Sequence, residues 1–372
     1  MRLPVRLFDE RQAEGGRLFY QGDVPVVVLQ GSPEQIGRQH AALLGPHAEP
    51  VLEFPKRFIA EAGGAHFWPL LVQAGRTLML QAPPRYQREL VAAADQGAIT
   101  AAMVEVLPVA NTLLELRRLG CSAVALADER TTTDGPLLGR NFDFETMGIL
   151  DRYTVLFVVR PEGRHAFASV GFPGLGGVLS GMNDAGLALA TLDVYQSADK
   201  SRKFDPTGTP LAFVFRRILE ECSTVDEAEA LLRSEQITTW MNLIVCDPRE
   251  SAVFELTPAT VGRREPAAGV LSCTNHFRCP ELSVGETCWR YSRLAAAAQS
   301  NAWNVDRVQS LLHSVNQGEF TMQTMVFEPR SRRLHLATGK PPVSDRAMTT
   351  FDLGPLLAER AANGTASAAV GQ

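Results

Sequence analysis

No run of apolar residues in this 372-residue chain is long enough to cross a bilayer. The opening, Met1-Arg2-Leu3-Pro4-Val5-Arg6-Leu7-Phe8, also lacks the continuous apolar stretch of a secretion signal. A cytoplasmic location with no membrane span is therefore expected. Clustered basic residues are missing too: 36 Lys and Arg are dispersed among 41 Asp and Glu, and the net charge is -5. That removes the field a phosphate backbone requires, so nucleic acid is not an expected partner. Cysteine is scarce, with six in the chain. Without an export signal these are expected to be reduced thiols, most of them buried as small hydrophobes, rather than a disulfide framework. There is no internal repeat and no long linker.

What is there is a globular composition, 45% hydrophobic and 21% charged, ample for a large core in one large or two medium domains. Residues 26–30 form a β-branched run expected to be a strand. Gly31-Ser32-Pro33-Glu34 has the marks of a helix start, with Ser32 as N-cap and Pro33 in the first turn, and the helix is expected to reach about Leu44. Over 51–119 apolar residues recur at helical spacing, interrupted at Pro55, Pro69, Pro83, Pro84 and Pro108. The first 120 residues are thus expected to be mostly helical. At Cys121 the period changes to that of strands, over 121–127, 137–144, 153–159, 165–170 and 187–193, with short turns that favour an antiparallel meander. Helices are expected over 211–222 and 225–233, the second capped by Ser223 or Thr224. Strands follow over 241–246, 252–256 and 269–274, helices over 289–299 and 305–315, and a last hairpin over 322–327 and 333–337. Residues 361–372, rich in Ala, Gly and Ser, are expected to be a loose tail. Two antiparallel strand blocks separated by helix pairs indicate an α+β class, a sandwich of sheets covered by helices.

The chemistry concentrates in Gly120-Cys121-Ser122-Ala123 and, across a polar turn, Gly139-Arg140-Asn141-Phe142-Asp143-Phe144. A cysteine preceded by glycine and opening an apolar run suggests a hidden N-terminus, exposed by cleavage of the Gly120-Cys121 bond. A thiol must lose its proton to attack an amide carbonyl, and a free α-amine, with an ordinary pKa of about 7.7–8.0, can take it at neutral pH. Glycine has no Cβ, so the thiol can approach the carbonyl of residue 120. If the hairpin closes around 128–135, Cys121 falls opposite Phe142, within one residue of register, and Arg140 and Asp143 come close to the sulfur. A guanidinium there favours thiolate, and a carboxylate can orient the α-ammonium. The alternative is a surface Arg-Asp pair closing a hairpin over a core cysteine.

Those two segments are joined, in order, by Gly31-Ser32-Pro33-Glu34-Gln35-Ile36-Gly37, Ser180-Gly181-Met182-Asn183-Asp184-Ala185-Gly186-Leu187 and Thr274-Asn275-His276-Phe277. Together, from about Leu29 to Gly339, they resemble the isopenicillin-N acyltransferase (acyl-CoA:6-aminopenicillanate acyltransferase) family of cysteine N-terminal-nucleophile hydrolases. Choloylglycine hydrolases and acid ceramidases share the wider pattern. The resemblance implies a four-layer αββα sandwich of two antiparallel sheets between helices. It implies a precursor in which 1–120 becomes a light chain that stays bound, 121–360 is the catalytic core and 361–372 a tail, all one intertwined unit. Cys121 would be the nucleophile, Arg140 and Asp143 would support the thiol and amine, and Asn275 would donate to the oxyanion. The second donor would be the backbone N–H of Asp193, where the choloylglycine branch has asparagine. An ionised aspartate side chain cannot donate, so only the backbone role carries over. Arg290 would brace the carboxylate, with Arg293 one turn away an equal candidate. The implied activity is cleavage of a linear amide or acyl thioester through a Cys121 thioester, the acyl group passing to water or an amine. No cofactor is implied; acyl-CoA would enter as an acyl-donor substrate. The implied partners are a small-molecule acyl amide or acyl thioester and the chain's own N-terminal segment.

Other readings compete. Cys273, His276, Cys279 and Cys288 have spacing that could wrap a tetrahedral zinc ion in a non-catalytic binding protein. His276 could instead be the base of a cysteine hydrolase that is never cut. The Gly171-Phe172-Pro173-Gly174-Leu175-Gly176-Gly177 segment lacks the spacing of a dinucleotide loop and is expected to face substrate or form a plain turn. Phe142, Phe144 and Phe172, with the stretch from Phe67 and Trp68 to Leu71, could line an apolar acyl pocket or simply be core.

Overall fold

The computed structural model describes residues 6–95, 101–112 and 120–358. The expected tail at 361–372 and the end of the helical stretch at 113–119 lie outside the described residues. The chain enters through β1 (Arg11–Ala13), β2 (Gly16–Gln21) and β3 (Val24–Gly31), then runs through α1 (Pro33–Leu44), α2 (Glu49–Glu61), α3 (Trp68–Met79), α4 (Pro84–Ala94) and α5 (Ala101–Thr112). A hairpin follows, β4 (Gly120–Leu126) and β5 (Leu137–Asp143), and after it β6 (Val155–Pro161), β7 (Phe167–Gly171), β8 (Ser180–Asn183) and β9 (Ala188–Asp193). Helices α6 (Leu211–Glu221) and α7 (Val225–Ser234) precede β10 (Met241–Cys246), β11 (Ser251–Leu256), β12 (Val261–Arg264) and β13 (Val270–Cys273). The last part holds α8 (Trp289–Ala295), α9 (Val305–His313), β14 (Thr321–Glu328), β15 (Arg333–Ala337), β16 (Thr349–Asp352) and α10 (Leu353–Ala358).

These strands form two sheets, one of ten strands in the order β1-β2-β3-β6-β7-β8-β9-β10-β11-β12 and one of six in the order β13-β4-β5-β14-β15-β16. Period-two alternation along β4 shows how they stack. Cys121, Ala123 and Ala125 join the core shared with the larger sheet, whereas Val124 and Leu126 pack outward with Leu294 of α8 and Val308 and Leu312 of α9. On the other side α1, α6 and α7 pack against strands of the larger sheet. The layers are therefore helices, sheet, sheet, helices, as expected for the α+β sandwich.

Several expectations need correction. The first 120 residues are not mostly helix from the start: β1, β2 and β3 form one edge of the larger sheet, and β3 pairs with β6 in parallel. The long excursion through α1 to β5 leaves room for that crossover, which a short turn would forbid. The strands from Cys121 onward are not one meander, because β4 and β5 belong to the smaller sheet and β6 begins the return to the larger. Pro55 and Pro108 lie inside α2 and α5, while Pro69 and Pro84 occupy the first turns of α3 and α4.

The Gly31 to Gly37 motif has a packing role. Ser32 caps α1 in a reciprocal box with Gln35. Gly31 sits at φ +105°, where a Cβ would meet Gln35 Oε1 at 2.1 Å, and a Cβ on Gly37 would meet the Glu89 carbonyl of α4 at 2.0 Å. Close crossing of α1 and α4 brings Glu89 to a buried ion cluster. Arg216 of α6 donates to both Glu89 oxygens at 2.8 and 2.7 Å, to Glu220 at 2.8 Å and to the Gly176 carbonyl at 2.8 Å. This cluster joins the N-terminal helices to the sheet-covering helix α6 and to the loop at 171–177.

Nearby, His40 Nε2 accepts the Gly174 N–H at 2.9 Å, which requires a neutral ring nitrogen. Desolvation, with the Arg216 charge adding to it, lowers His40 from 6.5 to about 4. A folded value below the unfolded one means that the stabilisation is complete above about 6.5 and is lost as pH falls toward 4. His40 is partly exposed as a residue, and the expected loss between pH 7 and 5 is about 1–2 kcal/mol. Urea unfolding of wild type and His40→Gln at both pH values checks this: the wild type should lose that much more than the variant, and equal losses would reject it.

Candidate active site

The β4–β5 hairpin pairs Cys121 with Phe142 and Gly120 with Asp143, the register expected from the turn. Cys121 is fully buried between the sheets. Its backbone N–H donates to Asn275 Oδ1 at 3.0 Å, and its carbonyl accepts from Arg290 Nη1 at 2.5 Å. Its sulfur accepts from Arg140 Nη2 at 3.5 Å and from the Asp143 backbone N–H. The alternative of a surface Arg-Asp pair is ruled out, since Arg140 is 0% and Asp143 1% exposed. Burial pushes the Cys121 thiol above its ordinary value, against the Arg140 guanidinium, and the Asp143 charge adds to the rise. In the continuous chain the thiol therefore keeps its proton at neutral pH, and attack requires a base.

Each neighbour is held by more than one element. Arg140 Nη1 donates to the Leu179 carbonyl at 2.7 Å and to Ser180 Oγ, which gives the first residue of the 180–187 motif a place at the site. The Arg140 guanidinium also lies 4.9 Å from the centre of the Phe142 ring. Asp143 accepts from Thr321 Oγ1 at 2.5 Å and from Gln317 Nε2 at 2.7 Å. Burial raises the Asp143 pKa in spite of these two hydrogen bonds and the nearby Arg290 and Arg140 charges. Asn275 Nδ2 donates to the Asp193 carbonyl at 2.8 Å, tying the end of β9 to the start of β4. Arg290 donates to the Cys121 carbonyl, to Ser122 Oγ at 2.9 Å and to Asn275 Oδ1 at 2.9 Å. Its hydrogen bonds thus go to the Cys121 carbonyl, Ser122 and Asn275, while its charge acts on the Asp143 carboxylate without a direct hydrogen bond, favouring the ionised form. Arg293 is exposed and reaches Ser314 instead.

Three residues of this cluster escaped the sequence reasoning. Asn242 of β10 donates to the Thr274 carbonyl at 2.9 Å and the His276 carbonyl at 3.1 Å, clamping the backbone on both sides of Asn275. An amide inside the apolar run Met241–Cys246 was the available signal. Gln317 and Thr321 hold Asp143 from a segment nearly two hundred residues away in sequence, with no motif to mark them. Gln317 Nε2 also lies 2.2 Å from where a Cβ on residue 120 would sit. A side chain at 120 would therefore displace the Gln317 amide that holds Asp143.

Gly120, Asn275, Gln317 and Phe144 line one cleft. Phe144 also lines an apolar pocket together with Phe142, Phe172, Leu175, Phe54 and Met241. The 171–177 loop therefore contributes pocket wall, as expected, but residues 67–71 do not, and Phe67 is 51% exposed. The zinc alternative fails on geometry. Among the described residues no three His, Cys, Asp or Glu side chains converge as ligands. Cys273 and Cys279 direct their thiols at the carbonyls of Thr274 and Arg263, at 3.8 and 3.9 Å. His276 is not placed as a base for Cys121, because its Nε2 pairs with Glu286 Oε2 at 2.9 Å and its neighbouring thiol is Cys288.

A cysteine gripped between two helix-covered sheets by two guanidiniums and an amide marks the class: an α+β sandwich with a cysteine-centred site. Residues 130–343 match the model of the acyl-coenzyme A:6-aminopenicillanic acid acyl-transferase family, and the chain belongs to that family. The match begins after Cys121 and spans more than half of the 372 residues. An uncharacterized protein of Archaeoglobus fulgidus is 21% identical over 353 residues, 78% of this chain and 58% of that protein. The chain thus spans less than two thirds of the curated relative it matches. Among solved structures, an ortholog of N-acylethanolamine-hydrolyzing acid amidase from Caenorhabditis elegans is 16% identical, covering 63% of this chain and 100% of that one at a TM-score of 0.44. A mutant of conjugated bile acid hydrolase from Clostridium perfringens is 16% identical over 62% of this chain and 92% of that one, at 0.42. Penicillin V acylase from Agrobacterium tumefaciens is 14% identical over 59% and 83%, at 0.40.

The two arginines of α8 separate in a stability measurement. Arg290→Ala takes a donor from the Cys121 carbonyl and Ser122 Oγ and leaves Asn275 Oδ1 with the Cys121 N–H, and is expected to cost about 2–4 kcal/mol in denaturant unfolding. Arg293→Ala, on the exposed face, should stay within about 0.5 kcal/mol of wild type. Equal costs would remove Arg290 from the frame of the site.

Proposed function

We propose that the protein is a self-processing cysteine amidohydrolase or acyltransferase in which Cys121 becomes an N-terminal nucleophile. The observation that carries this reading is the grip on Gly120-Cys121: the backbone nitrogen is held by Asn275 Oδ1 at 3.0 Å and the sulfur by Arg140 at 3.5 Å. Cleavage of the bond before that nitrogen would turn it into an amine beside the thiol, supplying the base that the buried sulfur requires.

In the first step the Cys121 sulfur attacks the Gly120 carbonyl carbon, its thiol proton passes to the Cys121 nitrogen and the C–N bond breaks, leaving a thioester and a free α-amine. Water then cleaves the thioester and releases the Gly120 carboxylate. In turnover the α-amine takes the thiol proton, the sulfur attacks the substrate acyl carbon, and the leaving amine or thiol departs with a proton. Water or an acceptor amine resolves the Cys121 thioester. Arg140 would favour the thiolate, and Asn275 with the Asp193 backbone N–H would hold the oxyanion. Arg290 would keep the Asn275 side chain aimed, and Asp143 would orient the α-ammonium. The apolar pocket beside Phe142 suits an apolar acyl chain. Family membership brings acyl-CoA in as a candidate donor and an amine as a candidate acceptor. Residues 1–120 would remain bound after cleavage through β3 in the larger sheet and the Glu89–Arg216 pair.

Intact mass under denaturing conditions tests this. Wild type should give two fragments, the larger beginning at Cys121, and Cys121→Ala one intact chain inactive on acyl amides and acyl thioesters. Asn275→Ala should slow turnover by about 10²–10³. An intact wild-type chain, or cleavage and turnover that persist in Cys121→Ala, would overturn the reading.

A further inference from the structure

At the Arg140 contact the 180–187 motif contributes only Ser180, but the other end of β8 leads to a second group of side chains. His165 Nδ1 lies 2.5 Å from Asp184 Oδ1, and His165 Nε2 lies 3.1 Å from Ser223 Oγ. Serine, histidine and aspartate are thus linked in the order of a nucleophile, its general base and the carboxylate that orients the base. The carboxylate fixes the tautomer: it takes the Nδ1 proton, which leaves Nε2 to accept the Ser223 hydroxyl. From Ser180 to Asp184 the extended chain covers on the order of 13 Å, which separates this group from the Arg140 contact.

Three separate segments carry the group, and hydrogen bonds to their backbones lock them together. The Asp184 N–H donates to the Ala166 carbonyl at 2.9 Å, and the Ala166 N–H donates back to Asp184 Oδ2 at 3.1 Å. The His165 N–H donates to the Glu220 carbonyl near the end of α6 at 3.1 Å. Asn183 Nδ2 holds the Leu219 and Cys222 carbonyls at 3.0 and 2.7 Å, so the link between α6 and α7 that carries Ser223 is fixed to the same turn as Asp184. Capping does not occupy the Ser223 hydroxyl, because Thr224 Oγ1 accepts the Glu227 N–H of α7 at 3.2 Å. All three residues are partly exposed. His165 and Asp184 line a groove together with Gln30, Gln39, Glu162 and Arg164.

We propose that Ser223, His165 and Asp184 form a second hydrolytic site, acting on small polar carboxylic esters. The Ser223 oxygen attacks the ester carbonyl carbon while its proton passes to His165 Nε2. The ester C–O bond then breaks and the alcohol leaves with that proton. Water gives a proton to the same nitrogen as it attacks the acyl-serine, and the acid departs as Ser223 takes the proton back. Asp184 steadies the imidazolium in both halves. The groove is polar where the pocket beside Phe142 is apolar, so it suits short, water-soluble esters. The site shares no residue with the acyl chemistry proposed at Cys121 and stands or falls separately from it.

The full chain carrying Cys121→Ala, which removes the other proposed nucleophile, is treated with a biotinylated fluorophosphonate and mapped by peptide mass. Its hydrolysis of p-nitrophenyl acetate is followed in parallel. Ser223 should carry the phosphonate ahead of the exposed Ser310, and Ser223→Ala should lower ester hydrolysis by about tenfold or more. Asp184→Asn keeps the side-chain shape but turns the imidazole proton around, and should slow labelling and hydrolysis by about tenfold or more. Ser223→Ala serves if Asp184→Asn fails to fold. Ser223 labelled no faster than Ser310, or rates unmoved by either substitution, would overturn the proposal.

Discussion

Two guanidiniums buried around one thiol are the constraint on which the site depends. Arg140 and Arg290 sit between or against the sheets, and their hydrogen bonds go to neutral groups: the Leu179 and Cys121 carbonyls, Ser180, Ser122, Asn275 and the Cys121 thiol. The nearest carboxylate, Asp143, is occupied by Gln317 and Thr321. Arg216 shows the contrast. It is just as buried but is clamped by Glu89 and Glu220, so its charge is neutralised on the spot. A buried charge without a matching counter-charge is expensive unless negative charge arrives there. A thiolate at Cys121, or an oxyanion on a carbonyl attacked by it, is the charge that would arrive. The same side chain is a structural rivet at 216 and, on the proposed chemistry, would be an electrostatic reserve at 140 and 290, and the difference lies in its partners.

That reserve is useful only if the thiol is held in register with it, which is why the hairpin matters more than any single contact. A one-residue slip would turn Cys121 from the inter-sheet core to the α8–α9 face. The register was legible in the sequence because turn length and alternation determine it locally, and so were Cys121, Arg140 and Asp143. The Ser32 cap and the strand Met241–Cys246 were legible for the same reason. What stayed hidden is non-local. The choice between Arg290 and Arg293 turns on which face of α8 meets β4, and the two are less than a turn apart. Gln317, Thr321 and Asn242 act through partners on other strands, with no periodicity to announce them. Strands β8, β12 and β16, four residues each, were not read from the sequence, although β13, equally short, was. The parallel pairing of β3 with β6 depends on where the chain returns after the smaller sheet, which local pattern does not contain.

Phe142 links Cys121 to the apolar pocket. Its backbone pairs with Cys121, its ring lies under Arg140, and the same ring lines the pocket beside Phe144 and Phe172. The opposite wall comes from α2, through Val51, Leu52, Phe54 and Pro55, and Phe54 lies 5.8 Å from Phe144 between ring centres. Part of the pocket is therefore built by residues N-terminal to Gly120. A cut at Gly120-Cys121 would make that wall a separate chain, and losing it would open the pocket to water along with the buried rings behind it. Retention does not rest on the apolar wall alone. Three strands of the N-terminal region extend the larger sheet, and Glu89 is held bidentately by Arg216, which in turn anchors the Gly176 carbonyl of the pocket loop. Breaking such a buried pair leaves a charge uncompensated, a cost of about 3–5 kcal/mol. The ion cluster that looks remote from the thiol is thus what keeps the pocket wall, the pocket loop and the helix behind them in one piece, whether or not the chain between them is continuous.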